Sequence, residues 1–296
     1  MSSETQIEKY SELSVMRRNV ALSGFSALRV GGNADLFFEP AKPEHFSALL
    51  SALQEDNRDY FILGGGANVC LPDEGLRIVI HTGAMRRMFR EDDCIRVWPG
   101  VTIQQLVRAA GELGLSGMQK LVGVPGNLGG AIAMNAGSAE WGIWELVEEV
   151  TLWTAEGLGA FTPAEIQPEY RNGNLGERVL LEALLRFTPR PVAEIKSEQE
   201  DFLRRKNKTQ PVTLSSAGCA FVNPDGNSAG RLIEEAGLKG FRIGGIEVST
   251  RHANFLVNDG SACAADVVAM LTHIEAEVLA SSGIKLQREL VVVGSQ

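Results

Sequence analysis

The chain has 296 residues, 44% of them hydrophobic and 22% charged, the balance of a globular protein with room for about two or three domains. Its net charge of −9 argues against nucleic acid, whose binders carry a basic footprint, but does not exclude a small nucleotide held by local backbone dipoles. No apolar run approaches the ~20 residues of a spanning helix, and the polar start Met1 to Tyr10 reads as neither signal peptide nor membrane anchor.

Residues 1 to about 20 are polar and are expected to be loosely ordered. Leu36 to Phe38 read as a short strand after the Gly31-Gly32 turn. Pro43 then opens a helix whose Phe46, Leu49, Leu50 and Leu53 share one face. Tyr60 to Leu63 form a strand that runs into Gly64-Gly65-Gly66-Ala67-Asn68, and Ile78 to Ile80 close this first α/β unit. Ile95 to Trp98 lead to a helix with Thr102 as N-cap, with Ile103, Leu106, Val107, Ala110 and Leu113 on one face and Gly114 at its end.

A long run of small residues follows, Gly123-Val-Pro-Gly-Asn-Leu-Gly-Gly-Ala-Ile-Ala-Met-Asn-Ala-Gly137. Strands are expected at Val150 to Trp153 and Val179 to Phe187, then a charged connecting helix over 190–208. A helix from Ser228 to Ala236, a strand from Asn254 to Val257, a helix from Ala264 to Ala280 and a strand from Leu290 to Val293 end the chain. The pattern is mixed α/β in about three units.

Cys70, Cys94, Cys219 and Cys263, like the four histidines, are dispersed without paired spacing, so no zinc pattern exists and no metal is expected. Thiols without paired spacing point to a reducing compartment, the cytoplasm. The 32 glycines exceed the usual share of about 7% and fall in clusters. Neither common phosphate motif is present. The Gly64-x-Gly66 loop lacks the third glycine of the dinucleotide fingerprint, Pro72 follows too soon for a helix, and no P-loop occurs. Gly64 to Asn68 and Gly126 to Gly130 suit backbone nests that bind a diphosphate with no Cβ in the way. Either loop alone reads equally as a tight turn; the pair favours a bound nucleotide cofactor.

At these loops the chain resembles the UDP-N-acetylenolpyruvoylglucosamine reductase (MurB) family over roughly residues 22 to 294. The marks are Arg29-Val30-Gly31-Gly32-Asn33-Ala34-Asp35, Leu63 to Asn68, Gly123 to Gly137 and Tyr170-Arg171-Asn172. They continue with Thr209-Gln210-Pro211, Ser216-Ala217-Gly218-Cys219, Phe221-Val222-Asn223-Pro224, Ala229 to Gly240 and His252-Ala253-Asn254-Phe255. The length resembles the shorter subfamily, which lacks an extra tyrosine loop.

The resemblance implies a vanillyl-alcohol-oxidase (PCMH-type) FAD-binding fold of two α/β domains plus a C-terminal substrate-binding α+β domain. On that reading 1–20 is an extension, 21–83 with 290–296 is the first FAD-binding part, 84–208 the second, and 209–289 the substrate domain. The implied reaction is NADPH-dependent, FAD-mediated reduction of UDP-N-acetylglucosamine enolpyruvate to UDP-N-acetylmuramate for peptidoglycan, with hydride passing from flavin N5 to C3. FAD would lie on Gly64, Gly65, Gly66, Ala67, Asn68, Gly126, Asn127, Gly129 and Gly130. The enolpyruvyl carboxylate needs a cation and C2 a proton donor. Arg171 matches the carboxylate-binding arginine, Glu289 the glutamate that works with it, and Cys219 the proton donor, usually a serine. Tyr170, Lys206, Gln210 and Asn223 would contact substrate.

By pattern alone, Cys219 reads as a buried structural thiol and Lys206 as solvated charge. Departures from the family pattern fall at 138–142, Gly173, Val222 and Val291. Another flavin oxidase of the same fold, or a UDP-sugar- or flavin-binding regulator, are the alternative readings.

Overall fold

The computed structural model describes residues 3–138 and 140–294, in two compact units. One comprises Met1–Arg18, Leu36–Gly65 and Arg77–Leu203; the other comprises Asn19–Asp35, Gly66–Leu76 and Arg204–Gln296. Ala139, within the departure at 138–142, and the last two residues of the 290–296 segment lie outside the described residues.

Two sheets lie mainly or wholly in the first unit, residues 19–21 and 33–35 and Leu76 of the first being counted with the second unit. One orders its strands Val15–Ala21, Asn33–Glu39, Leu76–His81 and Phe61–Leu63, the last two running parallel with Phe61 opposite Val79. The helix Pro43–Glu55 carries proline and Glu44 in its first turn, where a missing N–H costs nothing and a negative charge meets the helix dipole. Phe46, Leu49, Leu50 and Leu53 are fully buried, as their i, i+3, i+4, i+7 spacing requires. They share a core with Phe38, Ile80 and Trp98.

The second sheet is antiparallel throughout, in the order Gly157–Phe161, Val147–Thr154, Val179–Arg186, Cys94–Val97, Met88–Glu91. Against its core lies the helix Ile103–Glu112. Thr102 Oγ1 accepts from the Gln105 N–H and Gln105 Oε1 from the Thr102 N–H, each at 3.1 Å, so two otherwise orphaned donors are satisfied. Leu113, expected on the buried face, is 40% exposed, because as C-cap it lies where the chain leaves the helix.

The polar start of the chain is ordered: a helix spans Ser3–Leu13 and a strand Val15–Ala21. Its anchor is Tyr10, 2% exposed, which packs edge-on against Phe38 and donates its hydroxyl hydrogen to Asp56. Burial first, and the Asp56 carboxylate second, push the phenol up to about 12. A single aromatic residue in a polar stretch leaves no periodic signal, which is why composition misses this helix.

The second unit builds a three-stranded antiparallel sheet from Arg242–Ile243, Ile246–Val248 and Leu256–Asn258. Its core includes Val267, Met270, Leu271, Ile274 and Val278 of the helix Ala264–Ser282. The Asp73 carboxylate accepts the N–H groups of Ala264 (2.8 Å) and Ala265 (3.1 Å), placing negative charge at that helix's N-terminus. The short strand Val291–Val292 runs parallel to Val69–Cys70.

The N-terminal helix is testable through its anchor. Tyr10→Phe is expected to cost about 1 kcal/mol for the lost hydrogen bond, and Tyr10→Ala about 3–5 kcal/mol for the emptied core site. Thermal unfolding measures both; unchanged midpoints would mean a loosely held start.

Candidate active site

In the second unit, Cys219 is half-buried and lies on a segment with no sheet of its own. Neighbours on both sides supply its hydrogen bonds. Cys219 opposes Phe255, and Phe221 opposes Arg288, each in an isolated antiparallel bridge. The Ala220 N–H donates to the Asn254 carbonyl at 2.8 Å. The Ala220 carbonyl accepts from the N–H groups of Glu289 at 2.8 Å and Leu290 at 3.2 Å. Cys219 and Glu289, which are 70 positions apart, therefore flank one backbone carbonyl.

Asn254 completes the clamp. It is 2% exposed, and its Oδ1 accepts from the Phe221 N–H at 2.9 Å while its Nδ2 donates to the Phe221 carbonyl at 2.8 Å. One side-chain amide thus does what an adjacent strand would do. Asn68 acts similarly on Glu289: its Nδ2 donates to the Glu289 carbonyl at 2.9 Å, and its own carbonyl accepts from the Val291 N–H at 3.1 Å. The Asn68 amide, expected at a cofactor, is bonded to the backbone of Glu289.

Lys206 and Gln210 sit at the end of the helix Val192–Thr209, where the Gln210 N–H donates to the Lys206 carbonyl at 2.8 Å. Burial pushes the Lys206 ammonium down to about 8. Arg251 Nη1 donates to the carbonyls of Asn207 (3.3 Å) and Gln210 (3.2 Å), a cation at a helix C-terminus. Asn223, expected at substrate, turns its Oδ1 to the Ala229 N–H at 3.0 Å and so caps the helix Ala229–Glu235 beside Ser228.

In the first unit the two glycine loops touch. A Cβ on Gly65 would stand 2.7 Å from Gly126 Cα and 3.0 Å from Asn127 Oδ1, so only glycine permits the contact. The Gly129 N–H donates to the Pro99 carbonyl at 2.9 Å and the Leu128 N–H to Val101 at 2.8 Å, fixing the start of the helix Leu128–Ala133. A Cβ on Gly130 would meet nothing within 4 Å, and the nearest atom to one on Gly64 is the Gly130 nitrogen at 3.8 Å. Gly66, Ala67 and Asn68 belong to the second unit.

Tyr170 and Arg171, also in the first unit, form the tip of a tight turn. Arg171 has φ +60°, a left-handed conformation that costs a non-glycine residue about 1–2 kcal/mol. Its guanidinium carbon lies 5.3 Å from the Tyr170 ring centre, and its Nη1 donates to the Gly137 carbonyl at 3.0 Å. An open cavity of about 330 Å³ beside the turn is lined by Asn135, Ser138, Trp141, Trp144, Glu169 and Tyr170 among others.

Among the described residues no group of three His, Cys, Asp or Glu could hold a metal, and no helix is long and apolar enough to cross a membrane. The roles of Asn254 and Arg251 are not legible in the sequence; the signal for Asn254 is an asparagine set between two apolar residues, Ala253 and Phe255.

A family model described as UDP-N-acetylenolpyruvoylglucosamine reductase, C-terminal domain, matches residues 210–293, and one described as FAD binding domain matches residues 34–158. A UDP-N-acetylenolpyruvoylglucosamine reductase of Heliobacterium modesticaldum is 40% identical over 283 residues, covering 92% of this chain and 89% of that protein. One of Geotalea uraniireducens is 38% identical, covering 94% of each. The crystal structure of a UDP-N-acetylenolpyruvylglucosamine reductase from Thermus caldophilus superposes with a TM-score of 0.80 at 33% identity, covering 94% of this chain and 99% of that one.

The loop contact predicts opposite outcomes for two glycines. On protein stripped of bound ligands, Gly65→Ala is expected to lose about 1–3 kcal/mol from backbone overlap. Gly130→Ala, in open space at a helix start, should be neutral or gain up to about 1 kcal/mol. Equal thermal midpoints for the two variants would contradict the loop contact.

Proposed function

The chain belongs to the UDP-N-acetylenolpyruvoylglucosamine reductase family, and from that membership we propose how its own residues carry the reaction. It is an FAD-dependent oxidoreductase, a UDP-N-acetylmuramate dehydrogenase of peptidoglycan precursor synthesis. The observation that carries the residue assignment is the clamp in which Cys219 and Glu289 flank the Ala220 carbonyl.

The residues present fit FAD. The bare backbone of Gly65 against Gly126 and the open space over Gly130 form a cradle that a Cβ would obstruct. Gly64, Gly65, Gly126, Asn127, Gly129 and Gly130 would hold the cofactor, with Gly66, Ala67 and Asn68 also assigned to it. When bound, the flavin supplies the electrons, taken from NADPH, that reduce the enolpyruvyl double bond. Gly130→Ala, harmless to the fold, is therefore expected to lower flavin retention.

Arg171 binds the enolpyruvyl carboxylate, where negative charge gathers as the double bond is reduced; its fixed fork suits that group. Glu289 works with Arg171 on the same developing charge. Cys219 gives the proton to C2, a thiol being a stronger acid than the serine hydroxyl more usual at this position. Tyr170, Lys206, Gln210 and Asn223 bind the UDP-sugar, with Lys206 toward its diphosphate or sugar. Residues 21–83 with 290–296, and 84–208, form the FAD-binding parts, and 209–289 the substrate part. The protein is assigned to the cytoplasm, on the unpaired spacing of its four cysteines in the sequence.

Two experiments test these roles. Arg171→Ala and Glu289→Gln are expected to slow flavin oxidation by UDP-N-acetylglucosamine enolpyruvate by about 10²- to 10³-fold while flavin reduction by NADPH hardly changes. Stopped-flow absorbance follows both half-reactions, and equal damage to the two would remove the residues from the chemistry.

The second experiment is a pH profile. Lys206 carries charge only below its lowered pKa of about 8, so KM should climb as pH passes that value. Lys206→Arg should abolish that limb, and a limb that survives in Lys206→Arg would remove Lys206 from substrate binding. Cys219→Ala should slow flavin oxidation by about 10²- to 10⁴-fold, whereas Cys219→Ser should keep much of the rate; an alanine variant with wild-type flavin oxidation would rule out the thiol as the donor.

A further inference from the structure

Arg171 holds a left-handed backbone at the tip of a turn, and such a conformation persists only where its surroundings over-determine it. The turn is closed by Glu169 and Asn172, whose N–H groups donate to each other's carbonyls at 2.8 and 3.1 Å. Three further supports come from the end of the helix Leu128–Ala133 and the segment just after it. The Gly173 N–H donates to the Ala133 carbonyl at 2.8 Å. A Cβ at Gly173 would stand 2.1 Å from the Ile132 carbonyl oxygen, which explains glycine at this departure from the family pattern. The Gly137 carbonyl takes the Arg171 guanidinium itself.

The third support is a side chain. Asn135 Nδ2 donates to the Glu169 carbonyl at 2.8 Å, the first residue of the turn. Asn135 is held in its turn: its Oδ1 accepts from the Trp144 N–H at 3.4 Å, and its own φ of +44° is one asparagine tolerates better than most residues. This support depends on a side chain that is not Arg171, so it can be removed without touching the guanidinium or the backbone bonds.

We propose that Asn135 is the positioning residue for Arg171: its amide fixes the turn and thereby the direction of the guanidinium fork. The proposal rests on the reading that Arg171 binds the enolpyruvyl carboxylate. Asn135 acts through Arg171, and small misplacements of a charge-stabilising group slow the chemistry it serves far more than they disturb the fold.

The test is a double-mutant cycle on the flavin-loaded protein. Asn135→Gly keeps the left-handed backbone and removes the amide. Asn135→Asp keeps the shape and sets an oxygen against the Glu169 carbonyl. Each is made alone and with Arg171→Ala, and thermal unfolding confirms that the variants fold. Flavin oxidation by UDP-N-acetylglucosamine enolpyruvate, flavin reduction by NADPH, and calorimetric binding of UDP-N-acetylmuramate to the oxidised protein are measured.

Both single variants at Asn135 are expected to slow flavin oxidation and weaken binding by about 10-fold, the size of a typical coupling between contacting residues. NADPH reduction should stay within about 2-fold, and in the Arg171→Ala background the same changes should add less than about 2-fold. Full additivity with Arg171→Ala, equal loss in both half-reactions, or wild-type rates at position 135 would each overturn the positioning role while leaving Arg171's own role standing. If instead Arg171→Ala alone oxidises flavin at the wild-type rate, the carboxylate role fails and the proposal falls with it.

Discussion

A buried peptide group left without a hydrogen bond costs about 1–3 kcal/mol, and that constraint organises the reactive part of the second unit. Phe221 lies outside the three-stranded sheet, fully buried, and its N–H and carbonyl are both met by the amide of Asn254. With Phe221 pinned, the Ala220 carbonyl faces the N–H groups of Glu289 and Leu290, and Asn68 holds the Glu289 carbonyl in turn. Cys219 and Glu289 are therefore placed by backbone hydrogen bonds that their own side chains do not make. Such a frame allows the chemical groups to change, serine to cysteine for instance, while their positions are kept.

The first unit solves a different problem, the close approach of chain to chain. Gly65 lies against Gly126 and Gly173 against Ile132, where any Cβ would overlap backbone atoms. These contacts tie the helix Leu128–Ala133 to a glycine loop at its start and to the Arg171 turn at its end. One short helix thus relates the proposed cofactor loop to the proposed carboxylate-binding arginine. The strain stored at Arg171 is held by that arrangement, as expected where function and not stability selects a conformation.

How much of this the sequence discloses depends on range. The helix bearing Phe46, Leu49, Leu50 and Leu53, and the helix bearing Val267, Leu271, Ile274 and Val278, follow from periodicity, although Val268, also expected inward, is only half-buried; the Thr102–Gln105 cap follows from residue type. The helix Leu128–Ala133 is hidden by six small or aliphatic residues with no polar face, and the edge strand Gly157–Phe161 by its two glycines. Cys219, Arg171 and Glu289 stand out through resemblance of motifs; composition treats them as an ordinary thiol and ordinary charges. What holds them is long-range: Asn254 and Phe221 are 33 positions apart, Asn68 and Glu289 are 221. No local pattern encodes a side-chain amide standing in for a strand.

The proposed residue roles require that this chain reduce an enolpyruvyl sugar nucleotide with a proton delivered at C2 from an exchangeable group. A single anaerobic turnover in D₂O tests it most directly. The protein is reduced with NADPH and mixed with UDP-N-acetylglucosamine enolpyruvate, flavin absorbance is followed, and proton NMR of the product reads the isotope at C2 separately from C3. The oxidised flavin spectrum should return, and UDP-N-acetylmuramate should appear carrying solvent deuterium at C2. A flavin that stays reduced in the presence of excess substrate would contradict those roles.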